Sequence, residues 1–321
     1  MAGACVIGVD LGGTKLLAGT VDTGLRVHHR AYRLSRPDAV VDTIVEAVDE
    51  AREATPREVR AVGVGIPCLI EPARGVAMAC NHFPLVDVPV RDLLVERLGL
   101  PVVVDNDANA ALVGEWRHGA ARGARNVVLL TIGTGIGGGI VLDGRIVRGA
   151  SGAAGELGHI VIDESGPPCP GNCPNRGCLE AFVSGPALAI EGRARAEAHP
   201  ESGLAAAVAA GREITGPLVT ELAFDGDAAA RAAIAALGRR LGVGMTSLVN
   251  ALNPEVLVVG GGLVAAGDLL LDPAREVVAE RALVPARDQV RIVAARFGDE
   301  SGMFGAASLA FEVARKLESI G

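Results

Sequence analysis

Residues 127–143 repeat in outline what residues 6–22 have already done: an apolar strand, a glycine-rich turn, then a second apolar strand ending in aspartate. The first copy climbs through Val6, Ile7 and Val9 to Asp10, turns through Gly12, Gly13, Thr14 and Lys15, and leaves through Leu16, Leu17 and Val21 to Asp22. The second climbs through Val127, Val128, Leu129 and Leu130, turns through Gly133, Thr134 and Gly135, and leaves through Ile140, Val141 and Leu142 to Asp143. A turn without side chains lets backbone N–H groups approach phosphate oxygens closely. Thr14 and Thr134 add hydroxyl donors, and Lys15 adds charge. Two such hairpins, set a domain's length apart, describe a duplicated fold that grips one polyphosphate between its halves.

Two better-known phosphate loops do not fit. Gly12-Gly13-Thr14-Lys15 lacks the spacing of a Walker loop and does not open a helix. Gly133, Gly135 and Gly138 match the dinucleotide fingerprint, but that site needs a helix directly after its glycines. Here Ile140-Val141-Leu142 reads as a strand. The predicted second hairpin therefore has strands at 127–132 and 139–142, with the glycines in its turn.

The rest of the chain alternates in the same way. Strand signals recur at 4–9, 16–22, 61–65, 102–105, 256–259 and 291–295, separated by stretches with apolar spacing of three or four. The longest helix is predicted over 226–251, stopped by Asn253-Pro254, and a last helix over 303–317. The pattern predicts α/β architecture. At 321 residues the chain has room for two domains. Aromatics make up only 2% and glycines number 43, so helices are expected to pack closely on sheets. A net charge of −8 argues against a nucleic-acid surface. No apolar run has the length and purity of a membrane span, and the first residues run straight into a strand. A cytoplasmic protein without membrane or nucleic-acid partners is the expectation.

The strand at 102–105 delivers Asp105, Asn106, Asp107 and Asn109 at its carboxyl end, where open α/β sheets bind ligands. Phosphoryl transfer to a hydroxyl needs a carboxylate to orient the nucleophile and accept its proton. Asp105 and Asp107 are both candidates, and Asn106 and Asn109 can hold ligand hydroxyls. Helix capping explains one or two of the four residues. Further on, Glu156 and His159 share one glycine-flanked segment, and Glu180 follows the cysteines; carboxylates of this kind suit a polyol ligand. A third glycine cluster, Gly260, Gly261 and Gly262, lies between strand and helix and suits a nucleoside.

On these motifs the chain resembles the ROK family of sugar kinases and repressors. The matching pieces are Asp10-Leu-Gly-Gly-Thr-Lys15, Asn106-Asp107-Ala-Asn109, Gly133-Thr-Gly-Ile-Gly-Gly138, Glu156-Leu-Gly-His159 and Gly177-Cys178-Leu-Glu180. They fall in family order along essentially the whole chain. The resemblance implies a two-domain, actin-like ATPase (ribonuclease H-like) fold with a duplicated core. It implies a small domain of residues 1–115 plus 302–321 and a large one of 116–301. It implies ATP-dependent phosphorylation of a hexose at its 6-hydroxyl, glucose to glucose 6-phosphate at the head of glycolysis. Asp107 is then the general base, and Asn81, Asn106, Glu156, His159 and Glu180 hold the other hydroxyls. The two hairpins and Gly260–Gly262 hold ATP, with Asp10 near Mg²⁺. A homodimer or homotetramer is implied too. Kinases for an N-acetylated amino sugar, mannose or fructose share every motif. A sugar-sensing repressor shares them as well, but carries a helix-turn-helix domain ahead of the first hairpin, which here begins at residue 6.

There are two departures. Gly65-Ile66-Pro67-Cys68 stands where the family has Gly-x-Pro-Gly, and two extra residues separate Cys169 from Cys173. The chain has six cysteines. Cys5, Cys68 and Cys80 are scattered and read as small core residues. His159, Cys169, Cys173 and Cys178 form a closed three-thiolate, one-imidazole set, which suits a structural Zn²⁺. A disulfide or metal-free thiols are the competing readings.

Overall fold

The computed structural model describes residues 4–80 and 83–319, and two five-stranded sheets of identical strand order organise it. In the first, β1 (Cys5–Leu11), β2 (Lys15–Asp22) and β3 (Val27–Leu34) form an antiparallel meander. β4 (Val59–Ile66) follows, then a separate hairpin of β5 (Cys68–Glu71) and β6 (Val76–Cys80), then β7 (Val102–Asn106). The sheet order is β3-β2-β1-β4-β7, with β4 and β7 parallel to β1. The second sheet repeats this with β8 (Val127–Ile132), β9 (Ile136–Leu142), β10 (Arg145–Ile146), β11 (Val256–Gly260) and β12 (Arg291–Ala294), in the order β10-β9-β8-β11-β12. The duplication legible in two hairpins extends to whole sheets. The central parallel strand β11 is apolar throughout and wholly buried, because both its faces are covered.

The helices are unevenly divided between the two halves, and the last helix of each half stands in a matching place. α1 (Val40–Glu53), α2 (Val90–Leu98) and α3 (Asp107–Arg117) belong to the first. The second begins with α4 (Leu179–Phe182), α5 (Gly185–Ala198), α6 (Gly203–Ala209) and α7 (Gly216–Phe224). It continues with α8 (Ala228–Leu252), α9 (Asp268–Arg281), α10 (Ala286–Gln289) and α11 (Ser301–Glu318). α3 follows the last strand of its sheet and α11 follows the last strand of the other. Each then lies against the opposite sheet. Ala111 and Leu112 of α3 pack with Val127, Leu129 and Val141, while Met303, Ala307 and Phe311 of α11 pack with Val6, Leu17 and Val21. Glycine makes the second contact possible: a Cβ on Gly8 would overlap the Met303 carbonyl, and one on Gly63 the Ala306 carbonyl. Where α3 and α11 cross, Gly114 and Gly305 do the same for each other's backbones.

Several expectations need correction. β9 begins at Ile136, so Gly137, Gly138 and Gly139 lie in the strand and the turn is only Gly133–Gly135. The reason is packing: a Cβ on Gly137 would come within 2.9 Å of the Ala108 methyl, and one on Gly139 within 2.9 Å of the Leu112 side chain. Bare strand is what lets α3 lie on β9. α8, foreseen over 226–251, is long and apolar enough to cross a bilayer by length and composition, contrary to the expectation that nothing would be. Its buried positions, from Ala230 and Ala233 to Leu248 and Val249, belong to the main core of the second half. Asn253, in the left-handed region at φ 45°, ends it. Cys68 and Cys80 are not independent core thiols. The β5–β6 register sets them opposite one another, Cα to Cα 4.3 Å, and they form a disulfide.

Candidate active site

The carboxyl ends of β1, β4 and β7 lie side by side, in a register that aligns Asp10 with Gly65 and Gly65 with Asp105. The chain leaves β7 through Asn106 and turns directly into α3. Asn106 has extended backbone (φ −62°, ψ 146°), and its Oδ1 accepts the Asn109 N–H at 3.1 Å, an N-cap bond. This cap fixes where Asp107 stands, as the first residue of the helix, with its Oδ1 accepting the Ala108 N–H at 2.9 Å. Gly65 leaves room for that turn: a Cβ there would be 3.3 Å from the Asp107 Cα.

The four polar residues of this turn divide into two kinds. Asp105 and Asn109 are buried, and Asn106 and Asp107 are partly open. The Asp105 Oδ1 accepts the Asn106 N–H at 2.9 Å and the Asn109 Nδ2 at 3.4 Å. Its other oxygen takes the Arg148 guanidinium, with Nε at 3.1 Å. Asp105 is therefore committed to internal bonds in the interior, whereas Asp107 is partly exposed at the start of α3. Asp10, near the end of β1, has its carboxyl pushed up to about 7 by burial first and by the Asp107 charge second, with Lys15 opposing and Asp299 adding. Two carboxylates that raise one another's cost of ionisation want a cation or a proton between them.

The second half supplies the facing residues. Gly152 and Gly155 take left-handed backbone (φ 86° and 102°), and Gly155 and Gly158 press the segment onto β9 so closely that side chains there would strike the Gly138 and Ile136 carbonyls. Glu156 and His159 are thereby placed together, Oε2 to Nε2 3.9 Å. Burial pushes the Glu156 carboxyl up; His159 opposes this and Glu180 adds to it. Glu180, in the first turn of α4, accepts the Ile136 N–H at 2.6 Å, so its carboxylate sits where β9 leaves the second glycine turn. Because Ala108 lies against Gly137, this is also the neighbourhood of the α3 N-terminus.

The glycine turns have the expected form. The Gly12 N–H donates to the Lys15 carbonyl at 2.8 Å, and the Gly133 N–H to the Gly135 carbonyl at 2.9 Å. Gly13, Thr14, Lys15 and Thr134 are exposed. Lys15 Nζ pairs with Asp299 at 3.0 Å. Gly260, Gly261 and Gly262 follow β11, which runs parallel to β8 with Gly260 opposite Thr131. Gly261, at φ 81°, meets the Ile132 backbone so closely that only glycine fits. The third glycine cluster is thus beside the second hairpin. Asn81 lies outside the described residues.

The four foreseen metal ligands converge. One donor atom each from His159, Cys169, Cys173 and Cys178 lies within 4.8 Å of the others. The Cys169 Sγ is 3.4 Å from the His159 Nδ1, and Cys173 and Cys178 are 4.0 Å apart at sulfur. A tetrahedral zinc with bonds of about 2.3 Å to sulfur sets its ligand atoms about 3.8 Å apart, so the donor set fits in both chemistry and spacing. The isolated bridges Val161–Cys178 and Pro168–Arg176 shape the loop despite its two extra residues.

Sequence reasoning missed Arg148. It is one basic residue after a two-residue strand, and only the fold sets it against Asp105.

A family model described as ROK family matches residues 6–313. The chain is 38% identical over 313 residues to a glucokinase of Streptomyces coelicolor, covering 95% of this chain and 97% of that one. It is 31% identical over 278 residues to a xylose repressor of Caldicellulosiruptor bescii, covering 84% of this chain and 66% of the repressor. Among solved structures, a ROK family glucokinase from Streptomyces griseus in complex with glucose and AMPPNP superposes with a TM-score of 0.87 at 36% identity, over 96% of this chain and 100% of that one.

Proposed function

The chain belongs to the ROK family, and from that premise we propose that it is an ATP-dependent hexose kinase that converts glucose to glucose 6-phosphate. The observation that carries the reading is two carboxylates, Asp10 and Asp107, at the carboxyl edge of the first sheet, with the α3 N-terminus packed on β9, whose Ile136 N–H holds Glu180 beside Glu156 and His159. A repressor needs to hold a sugar; it does not need a second carboxylate coupled to the one that faces the sugar.

In this reading Asp107 accepts the proton of the 6-hydroxyl as its oxygen attacks the γ-phosphorus and the bond to ADP breaks. Asn106, Glu156, His159, Glu180 and Asn81 hold the remaining hydroxyls. Gly12 to Lys15 and Gly133 to Gly135 present backbone N–H groups and hydroxyls to the phosphates, and Gly260–Gly262 accept the nucleoside. The raised Asp10 carboxyl fits a place beside Mg²⁺, which, when bound with ATP, neutralises charge on the phosphates. Zn²⁺ fits His159, Cys169, Cys173 and Cys178 and has a structural task, because four protein ligands leave no open position. The Nδ1 of His159 faces the thiols while Nε2 faces Glu156, so one ring joins the metal set to the sugar set. Residues 1–115 with 302–321 form one domain of this kinase and 116–301 the other. The enzyme works in the cytoplasm as a homodimer or homotetramer.

The test is ADP release by purified protein across glucose, mannose, fructose, N-acetylglucosamine and N-acetylmannosamine. Glucose is expected to give the highest kcat/KM. Higher kcat/KM on an N-acetylated sugar would move the substrate assignment, and no turnover on any sugar would overturn the kinase reading.

A further inference from the structure

Arg148 stands just after β10 in the second half, yet its guanidinium reaches Asp105 at the end of β7 in the first. The contact is a fork: Nε is 3.1 Å from Oδ2 and 3.5 Å from Oδ1, and Nη2 also engages Oδ2. Asp105 is only 4% exposed, so removing the arginine would strand a carboxylate in the interior. Planar two-point pairing fixes direction as well as charge.

Both ends of this bridge continue into residues assigned to the sugar. From Asp105, one bond runs to the Asn106 N–H and another to the Asn109 side chain. Asn109 in turn donates its backbone N–H to the Asn106 Oδ1, and the Asn106 Nδ2 donates to the Cys68 carbonyl at 3.3 Å. From Arg148, the backbone carbonyl accepts the Ala154 N–H at 3.0 Å and closes the turn that leads to Glu156. Gly152 in that turn lies against the Ile70 carbonyl of the first half. A single side chain therefore spans from the turn that presents Asn106 and Asp107 to the loop that presents Glu156 and His159.

We propose that Arg148 is a positioning residue for sugar recognition, holding the Asn106–Asp107 turn and the Glu156 loop in register through Asp105. This rests on the hexose-kinase reading and adds the residue that sets the geometry of its sugar site. Among the described residues the Arg148 side chain makes its hydrogen bonds and ion pair to Asp105 and none to either nucleotide turn, so its effect belongs to the sugar side.

The experiment is a mutant cycle of Arg148→Ala, Asp105→Asn and the double variant, with Arg148→Lys as the conservative change. Arg148→Ala is expected to raise the hexose KM at least tenfold while the ATP KM stays within twofold, and to lower Tm. Arg148→Lys, which keeps the charge and loses the fork, should fall between. In the double variant the stranded charge is gone, so Tm should recover toward wild type while the hexose KM stays high. That split separates positioning from mere support. A hexose KM that recovers together with Tm, or one that never rises in a folded Arg148→Ala, overturns the proposal. Should Arg148→Ala not fold, Arg148→Lys and the double variant decide the matter by the same two readouts. Wild-type enzyme measured alongside keeps the readings apart: its failure to turn over any hexose counts against the kinase, and normal wild-type turnover with an indifferent Arg148 counts against this inference alone.

Discussion

Asp105 and Asp107 are two residues apart and chemically alike, and the fold gives them opposite fates. One is closed in by Arg148, Asn106 and Asn109; the other opens α3 at the edge of the sheet. Asp107→Asn is expected to leave folding and sugar binding largely intact while lowering kcat by about 10²–10⁴, the usual effect of a lost general base. Asp105→Asn should instead act on the hexose KM. Steady-state kinetics of the two variants checks both statements, and near-normal kcat in Asp107→Asn would reassign the base. The pair Asn106–Asp107 was legible beforehand because its signal is local: a strand end, a cap and a helix start within five residues. The burial of Asp105 was not, because its partner is 43 residues away and no spacing encodes that contact. Gly137, Gly138 and Gly139 misled for a related reason. A glycine run reads as a turn, whereas these three are strand positions stripped of side chains for a helix and a loop that the sequence places elsewhere.

The cysteine loop was legible as a unit because its four donor residues, His159, Cys169, Cys173 and Cys178, sit within twenty residues, and the fold brings them together. The same logic failed for Cys68 and Cys80, which look like isolated thiols until β5 and β6 pair; neither strand was foreseen, since both are short and follow a proline bend. β3 was missed as well. Its residues Val27–Leu34 are mostly polar or exposed, as suits an edge strand, and carry little of the apolar pattern that marks a buried one. For the loop, metal content is the direct measurement. Purified protein is expected to hold one zinc per chain, and Cys173→Ser to raise the hexose KM more than the ATP KM while lowering Tm, because His159 would lose the anchor that orients its ring toward Glu156. A zinc-free preparation, fully active and as stable with chelator as without, would remove the metal from this account.

At the scale of the molecule, the sheets repeat while the loops diverge. The duplication follows from two hairpins, but the strand order and the distribution of features do not: the first half carries the Asn106–Asp107 turn, and the second carries the His/Cys loop and the third glycine cluster. A kinase that joins such halves must shed water from the reacting phosphate, for which water competes with the sugar. Small-angle scattering is therefore expected to show a smaller radius of gyration with glucose than without; an unchanged radius at confirmed saturation would count against closure. The placing of α11 has a consequence of another kind. The groove that receives it, lined by Gly8 and Gly63, is built from the start of the chain, and α11 begins only at Ser301. At roughly 5–20 residues per second, a ribosome would need on the order of 10–50 s to make the stretch between that groove and α11. Throughout that interval the apolar strip formed by Val6, Leu17, Val21 and Ala61 lacks the helix that covers it. Of the two sheets, the one translated earlier is thus the one completed later.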